Sequence, residues 1–320
     1  MASPFPSFTI VIPTYNRPLQ LLECLNSLAA LDYPLDRYQV IVVDDQSDQS
    51  PESLVADFCK RMEVTLLVQP HRGPAVARNA GAALSTGEYV VFIDDDCVAA
   101  SDWLCCLATS FAVKSDYALG GLVVNRLTEN PYSAASQEIV DFICRYFRES
   151  ERSFFTSNNL AVPVKLFREI GGFDDQIALA AAEDREFCVR WLRFGHHLAF
   201  EPSAIVHHAH KLTLRRFWRQ HFNYGRGAYY FRKIIQSSGQ APLKLESASF
   251  YSGLVLYPFS KGISLRSLQL FLLLLLSQLA NAFGFFYETM RSSRQHFGES
   301  KVLGESAPAG APSAPENSRN

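Results

Sequence analysis

The chain has 320 residues, 48% hydrophobic and 19% charged, with a formal net charge of -2 at pH 7. That composition belongs to a globular protein with a large core and one or two domains, and it excludes a disordered chain. The near-neutral balance excludes a general nucleic-acid binder. Seven cysteines with no C-x-x-C pair and no zinc spacing exclude a disulfide or zinc framework and point to a reducing compartment.

Apolar strand-like runs alternate with helix-like segments over the first hundred residues. Residues 8–12 form a short apolar run closed by Pro13, and no basic stretch with an apolar signal core precedes it, which predicts a cytoplasmic catalytic part. Residues 17–31 carry Leu21, Leu22, Leu25, Leu28 and Leu31 at helical spacing. Residues 39–43 form a second apolar run ending at Asp44 and Asp45, and a polar stretch with Pro51 leads to a helix over 52–61. Residues 64–68 read as a strand, 74–84 as an alanine-rich helix, and 89–93 as a strand that runs into Asp94, Asp95 and Asp96. Runs this apolar on both faces suggest a sheet covered by helices on both sides, and the alternation argues for parallel α/β architecture. In such sheets ligands bind beyond the carboxyl ends of the strands. The polar clusters at 13–17, 44–45 and 94–96 all follow strand ends and so converge on one rim. Three adjacent acids repel one another unless a cation lies beside them, and Mg2+ bridges carboxylates to phosphates. A metal–phosphate site competes here with a solvated acidic loop.

The middle of the chain is more mixed. Residues 118–124 and 154–162 read as strands, the second holding Asn158 and Asn159, and Gly171 and Gly172 signal a turn. Residues 182–194 read as a helix, 198–200 and 204–206 as short strands, the latter running into His207, His208 and His210. Residues 211–233 hold seven Lys or Arg, no acid, and interleaved aromatics. They read as a surface attracted to anionic headgroups, as a groove for a lipid-linked phosphate acceptor, or as a solvated helical face. Residues 268–287 contain no charge. As a helix they span roughly 30 Å, close to the bilayer core; Gln269, Ser277, Gln278 and Asn281 oppose a spanning helix, leaving open a spanning helix, an interfacial helix, a helical hairpin with residues 250–259 and a soluble core helix. From 298 on, Gly, Ala, Pro and Ser predict a disordered tail.

Six motifs in order carry a resemblance: Ile12 through Arg17; Val42 through Ser47; Ala77 through Gly81; Phe92 through Asp96; Gly171 through Asp174; and Glu183 with Asp184. The chain resembles the family-2 glycosyltransferases over roughly residues 8–210. Gln46 departs from the pattern, since glycine is frequent there. The resemblance implies a GT-A fold, a Rossmann-type mixed α/β sheet with helices on both faces. With the later segments it divides the chain into a catalytic part (1–210), a basic and apolar membrane-associated helical part (211–297) and a tail (298–320).

It further implies an inverting, metal-dependent glycosyltransferase. The donor is a nucleotide sugar, UDP-linked by default; the acceptor is a glycan or lipid-linked hydroxyl, at the cytoplasmic face of a membrane. The nucleotide would be held by Pro13, Thr14, Tyr15, Asn16, Arg17, Asp44, Asp45, Arg78, Asp94 and Asp95. A divalent cation, Mn2+ or Mg2+, would be held by Asp94, Asp96 and His208, with His207 and His210 as competitors to the last. Asp184 would be the general base and Glu183 would position the acceptor. A nucleotidyltransferase is the alternative, but that class carries an early Gly-rich phosphate loop and residues 13–17 hold no glycine. A non-catalytic sugar-nucleotide binder would not need Asp184.

Overall fold

The computed structural model describes residues 5–148, 150, 153–175, 182–237 and 246–304. Eight strands form one sheet: β1 (Phe8–Thr14), β2 (Tyr38–Asp44), β3 (Val64–Val68), β4 (Tyr89–Phe92), β5 (Cys97–Ala99), β6 (Ala118–Asn125), β7 (Leu160–Pro163) and β8 (Leu198–His208). Their order across the sheet is β3-β2-β1-β4-β7-β6-β8-β5. The first four strands run parallel, as the alternation predicted. From β7 onward the sheet is mixed: β7 is antiparallel to β4 and to β6, β8 is parallel to β6, and β5 is antiparallel to β8.

Strand alternation sorts the core into two layers. Phe8, Ile10, Ile12, Val40, Val42 and Val91 pack against α1 (Pro18–Leu28), α2 (Glu52–Phe58) and a later helix, α4 (Trp103–Phe111). Val11, Ile41, Val43, Val90 and Phe92 face the other way, onto α3 (Pro74–Ala83) and, further along the chain, α6 (Val164–Glu169) and α7 (Glu183–Arg193). Between those lies α5 (Pro131–Phe147), capped by Asn130, whose side chain accepts from the N–H groups of Tyr132 and Ser133. Together with α8 (Leu214–Ser237), α9 (Ala248–Leu256) and α10 (Leu265–Gly304), it builds a third apolar cluster around Phe217, Phe250, Leu254, Leu270 and Leu274.

Several expectations are corrected. Residues 154–162 are not one strand: a 3-10 turn occupies Ser157–Asn159 before β7 begins. The reason is side-chain competition for the backbone, since the Asn159 amide donates to the carbonyls of Leu122 and Ala204. The segments 198–200 and 204–206 are one strand, β8, interrupted by a register shift opposite Gly121 and Leu122. Pro202, which has no N–H to give, sits inside that irregularity. Residues 298–304 continue α10 rather than opening a tail; the rest of the expected tail, 305–320, lies outside the described residues.

Candidate active site

A cavity of about 850 Å³ opens at the carboxyl ends of β1 and β4. The three polar clusters do converge there. Pro13, Thr14, Tyr15, Asn16, Arg17, Asp45, Arg78, Asp94, Asp95, Asp96, Glu183, Asp184 and His208 all line it. Asp44 does not; it is buried, and its carboxylate accepts from the Ser47 N–H at 3.0 Å.

The loop after β1 is held by its own polar groups. Asn16 adopts the left-handed conformation (φ 55°), and its amide exchanges hydrogen bonds with Asp48 at 2.8 and 3.1 Å. It therefore joins the loops after β1 and β2 and does not cap α1, whose N-cap position is Arg17. Gln46 is also left-handed (φ 65°), which explains why glycine suits that position. Asp45 accepts from the N–H groups of Arg72 and Gly73, each at 2.9 Å, and so shapes the entry to α3. Tyr15 stacks on His71 with ring centroids 4.3 Å apart, giving the cavity an aromatic face.

The acids after β4 have three different environments. Asp94 receives the Arg78 guanidinium at 2.7 Å and is the most open to solvent. Asp95 is buried, accepts from Thr14 Oγ1 at 2.8 Å and from Arg17 at 3.1 Å, and burial pushes its pKa up to about 7. Asp96 accepts from Arg17 at 3.0 Å and lies 3.3 Å from His208 Nε2. Burial opposes its charge, but the hydrogen bond and charge of His208, then Arg17, hold it well below the usual carboxylate range. His208 is raised in turn, with burial outweighed by Asp96. His208 and His210 line the cavity and stack on each other. His207, the intervening residue, does not line it.

Arg78 is the hub of the site. It is buried, and its guanidinium reaches from Asp94 to Glu183 Oε1 at 3.4 Å, tying the end of β4 to the start of α7. Both terminal nitrogens of its fork thus meet carboxylates, while Nε has no partner among the described residues. Glu183 and Asp184 are both raised, burial being the largest cause for each; Arg78 pulls the other way. Ser157 hydrogen-bonds the Asp184 carboxyl through backbone and side chain, yet Asp184 Oδ1 has no partner among the described residues. A buried, basic carboxylate with a free oxygen in a cavity is suited to accept a proton. Asn79, beside Arg78, exchanges two hydrogen bonds with the backbone of Phe173, at 2.7 and 2.8 Å, and locks the Gly171–Gly172 turn under the site.

Ligand atoms of Asp96, Cys97 and His208 lie within 4.8 Å of one another. Cys97 is fully buried, and burial drives its thiol pKa well up. Asp94, expected beside Asp96, is not in this group; its carboxylate meets Arg78 at 2.7 Å. The oxygen of Asp96 and the imidazole of His208 are donor types that fit a divalent cation and suit Mn2+ better than Mg2+.

Two further strips complete the cavity wall: the α5 strip went unread in the sequence, while the α8 strip lies in the basic segment offered there as one of three readings, a groove. Ser133, Ser136, Gln137 and Val140 contribute from α5, and Arg216, Arg219, Gln220, Asn223 and Tyr224 from α8. Their spacing, i, i+3, i+4, i+7, was the signal available. Ser157, the partner of Asp184, carried no such pattern.

The family model described as glycosyl transferase family 2 matches residues 9–173. The pre-mycofactocin glycosyltransferase of Mycobacterium tuberculosis is 31% identical over 229 residues, 69% of this chain and 46% of that protein. The probable glycosyltransferase YdaM of Bacillus subtilis is 25% identical over 70% of this chain and 56% of its own length. The chain spans about half the length of these curated relatives. Among solved structures, the mannosyltransferase PcManGT of Pyrobaculum calidifontis, in complex with GDP-Man and Mn2+, superposes with a TM-score of 0.61 at 20% identity over 87% of both chains. TarS 1-349 of S. aureus, in complex with UDP-GlcNAc, gives 0.56 at 16% identity over 91% of this chain and 92% of that one. These likenesses show the fold.

Proposed function

The chain belongs to glycosyl transferase family 2, and from that premise we propose that it moves a sugar from a nucleoside-diphosphate donor to a hydroxyl of a glycan or lipid-linked acceptor. Configuration at the anomeric carbon is inverted. The observation that carries this reading is the single cavity lined by Asp94, Asp96, His208 and Asp184 together. Its volume lies within the usual range of about 300–1,000 Å³ for ligand sites.

The residues divide the work. Tyr15 and the loops at 13–17 and 45 receive the base and ribose. Arg17, half exposed beside Asp95 and Asp96, faces the phosphates. Asp94, Asp96 and His208 would hold a divalent cation, which when bound neutralises charge on the leaving diphosphate. Asp184 accepts the acceptor hydroxyl's proton as that oxygen attacks in line, and its raised pKa makes it a better base than a solvated aspartate. Glu183, braced by Arg78, orients the acceptor. A single displacement of this kind inverts configuration.

Residues 1–210 are assigned the transfer chemistry and 211–297 the attachment to a membrane's cytoplasmic face. Leu265–Ser292 is long and apolar enough to cross a bilayer by length and composition. Its packing favours lying in the interface. Glu288 is buried on its inner face, held by Arg226 at 2.6 Å and Tyr230 at 2.6 Å from α8. A helix as cationic as α8 resists the hydrocarbon core, which supports an interfacial placement of α10.

Nucleotide release across a panel of sugar nucleotides, with Mn2+ or Mg2+, tests the reading. We expect metal-dependent release of a nucleoside diphosphate from one donor, with the opposite anomer in the product. Release of pyrophosphate, no release from any donor, or retained configuration would contradict it.

A further inference from the structure

The half of the cavity walled by α5 and α8 has no part in the chemistry above. The α8 wall is Arg216, Arg219, Gln220, Asn223 and Tyr224, at i, i+3, i+4, i+7 and i+8, one face of a helix. The α5 wall is Ser133, Ser136, Gln137 and Val140, again one face. The two helices adjoin, with Ser136 Oγ 3.3 Å from His221 Nε2. Lys211, Arg216 and Arg219 are exposed at the cavity mouth, while Gln220, Asn223 and Tyr224 are partly buried deeper along the same face. Gln220 donates to the Tyr224 hydroxyl at 2.7 Å, while its Oε1 is buried with no partner among the described residues. A buried acceptor left unpaired is costly, and a ligand donor would satisfy it.

Charge sorts the same way. Of the cations in 211–233, Arg226 is spent on Glu288 and Lys233 donates to Ser292 at 2.8 Å, both on α10. Lys211, Arg216 and Arg219 line the cavity, and no carboxylate pairs with them among the described residues. Across the cavity Arg78 bridges Asp94 and Glu183, and Arg17 bridges Asp95 and Asp96. Among the described residues Lys211, Arg216 and Arg219 join none of these pairs, which leaves them to meet a ligand anion. Guanidinium forks match phosphate oxygens in geometry as well as sign.

We propose that the α5–α8 half of the cavity is the acceptor chamber, and that Lys211, Arg216 and Arg219 select an acceptor carrying a phosphate group. The proposal rests on the glycosyl-transfer reading. The donor's own diphosphate is the competing source of the same chemistry.

Two measurements on the full chain and on an Arg216→Gln/Arg219→Gln double variant separate the sources. The first is calorimetric binding of glycerol 3-phosphate and of farnesyl phosphate, each against its parent alcohol. The second is the KM for metal-supported hydrolysis of the donor without acceptor. We expect a phosphate probe to bind at least tenfold more tightly than its alcohol, and the double variant to lose that preference while donor KM moves less than twofold. Equal binding of phosphate and alcohol overturns the proposal. So does a tenfold rise in donor KM with phosphate binding unchanged, which assigns the cations to the donor. If neither protein hydrolyses any donor, the glycosyl-transfer reading fails, while the binding measurement still decides whether the chamber takes phosphate.

Discussion

Asp184 combines two properties that rarely coexist in a surface carboxylate: burial, and an oxygen without a partner. Asp184→Asn keeps the shape and the Ser157 contacts but cannot accept a proton. We expect transfer to fall about a thousandfold, within the span of general-base effects, with donor binding retained; transfer within tenfold of wild type would remove Asp184 as base. Because burial raises its pKa, the acidic limb of the rate profile should lie above the ordinary aspartate range, with activity rising as pH rises. Glu183 makes a separate prediction about stability. Burial, then the charge of Asp184, pushes its pKa up from 4.5 to about 8. The folded protein thus holds a proton that the unfolded chain releases, and stability declines as pH rises from about 4.5 to about 8. Glu183→Gln removes that loss, so its thermal midpoint should vary less over this window than that of wild type. An equal decline in both would show that Glu183 is not the group responsible. At this scale the acids after β2 and β4 and His208 were legible because each follows an apolar run that announces a strand end, whereas Glu183 and Asp184, which open α7, were legible only through the family resemblance. Arg78 was legible as a site residue but not as a bridge, since its two partners lie 16 and 105 positions away.

Between elements, α8 and α10 approach closely at their glycines. A Cβ at Gly225 would lie 1.9 Å from the Asn281 carbonyl oxygen, and one at Gly284 would lie 1.9 Å from that of Phe222. These atoms are backbone, so relief requires the helices to part. Gly284→Ala gains roughly 0.5–1 kcal/mol in helix propensity, against an overpacking cost of about 1–3 kcal/mol. We expect a net fall in the thermal midpoint; a rise would mean the helices are not in this register. The opposite face of α10 exposes Leu272, Leu279 and Phe286 at 56, 56 and 62%, an apolar stripe fit for an interface. Wild-type protein should float with anionic vesicles, and a Leu272→Gln/Leu279→Gln/Phe286→Gln variant should stay behind with donor hydrolysis intact. Equal flotation would move the attachment elsewhere. The helices of the first hundred residues were readable because apolar spacing and strand alternation agree there. α4 and α5 went unread although each carries an apolar stripe at helical spacing, Trp103, Leu107 and Phe111 in one and Ala135 and Ile139 in the other; the second, polar face of α5 that lines the cavity has no such signal.

Over the whole molecule, the sheet order does what no local pattern announces. β1, β4 and β7 lie side by side although 81 positions separate Thr14 from Asp95 and β4 reaches β7 through Phe92 and Leu160, also far apart in the chain. The antiparallel return of β7 places Ser157, at its entry, against Asp184 at the head of α7. α8 then closes the far side of the cavity, so the basic segment bounds the site as well as contributing to attachment. The account's central claim is that the acid cluster after β4 grips the donor while Asp184 acts only on the acceptor. Calorimetric titration of the hydrolysable donor, with Mn2+ present, into wild type, Asp96→Ala and Asp184→Asn tests it most directly. The account predicts an affinity within about threefold for Asp184→Asn and a loss of about a hundredfold for Asp96→Ala. Equal donor affinity in all three proteins, or a loss confined to Asp184→Asn, would contradict it.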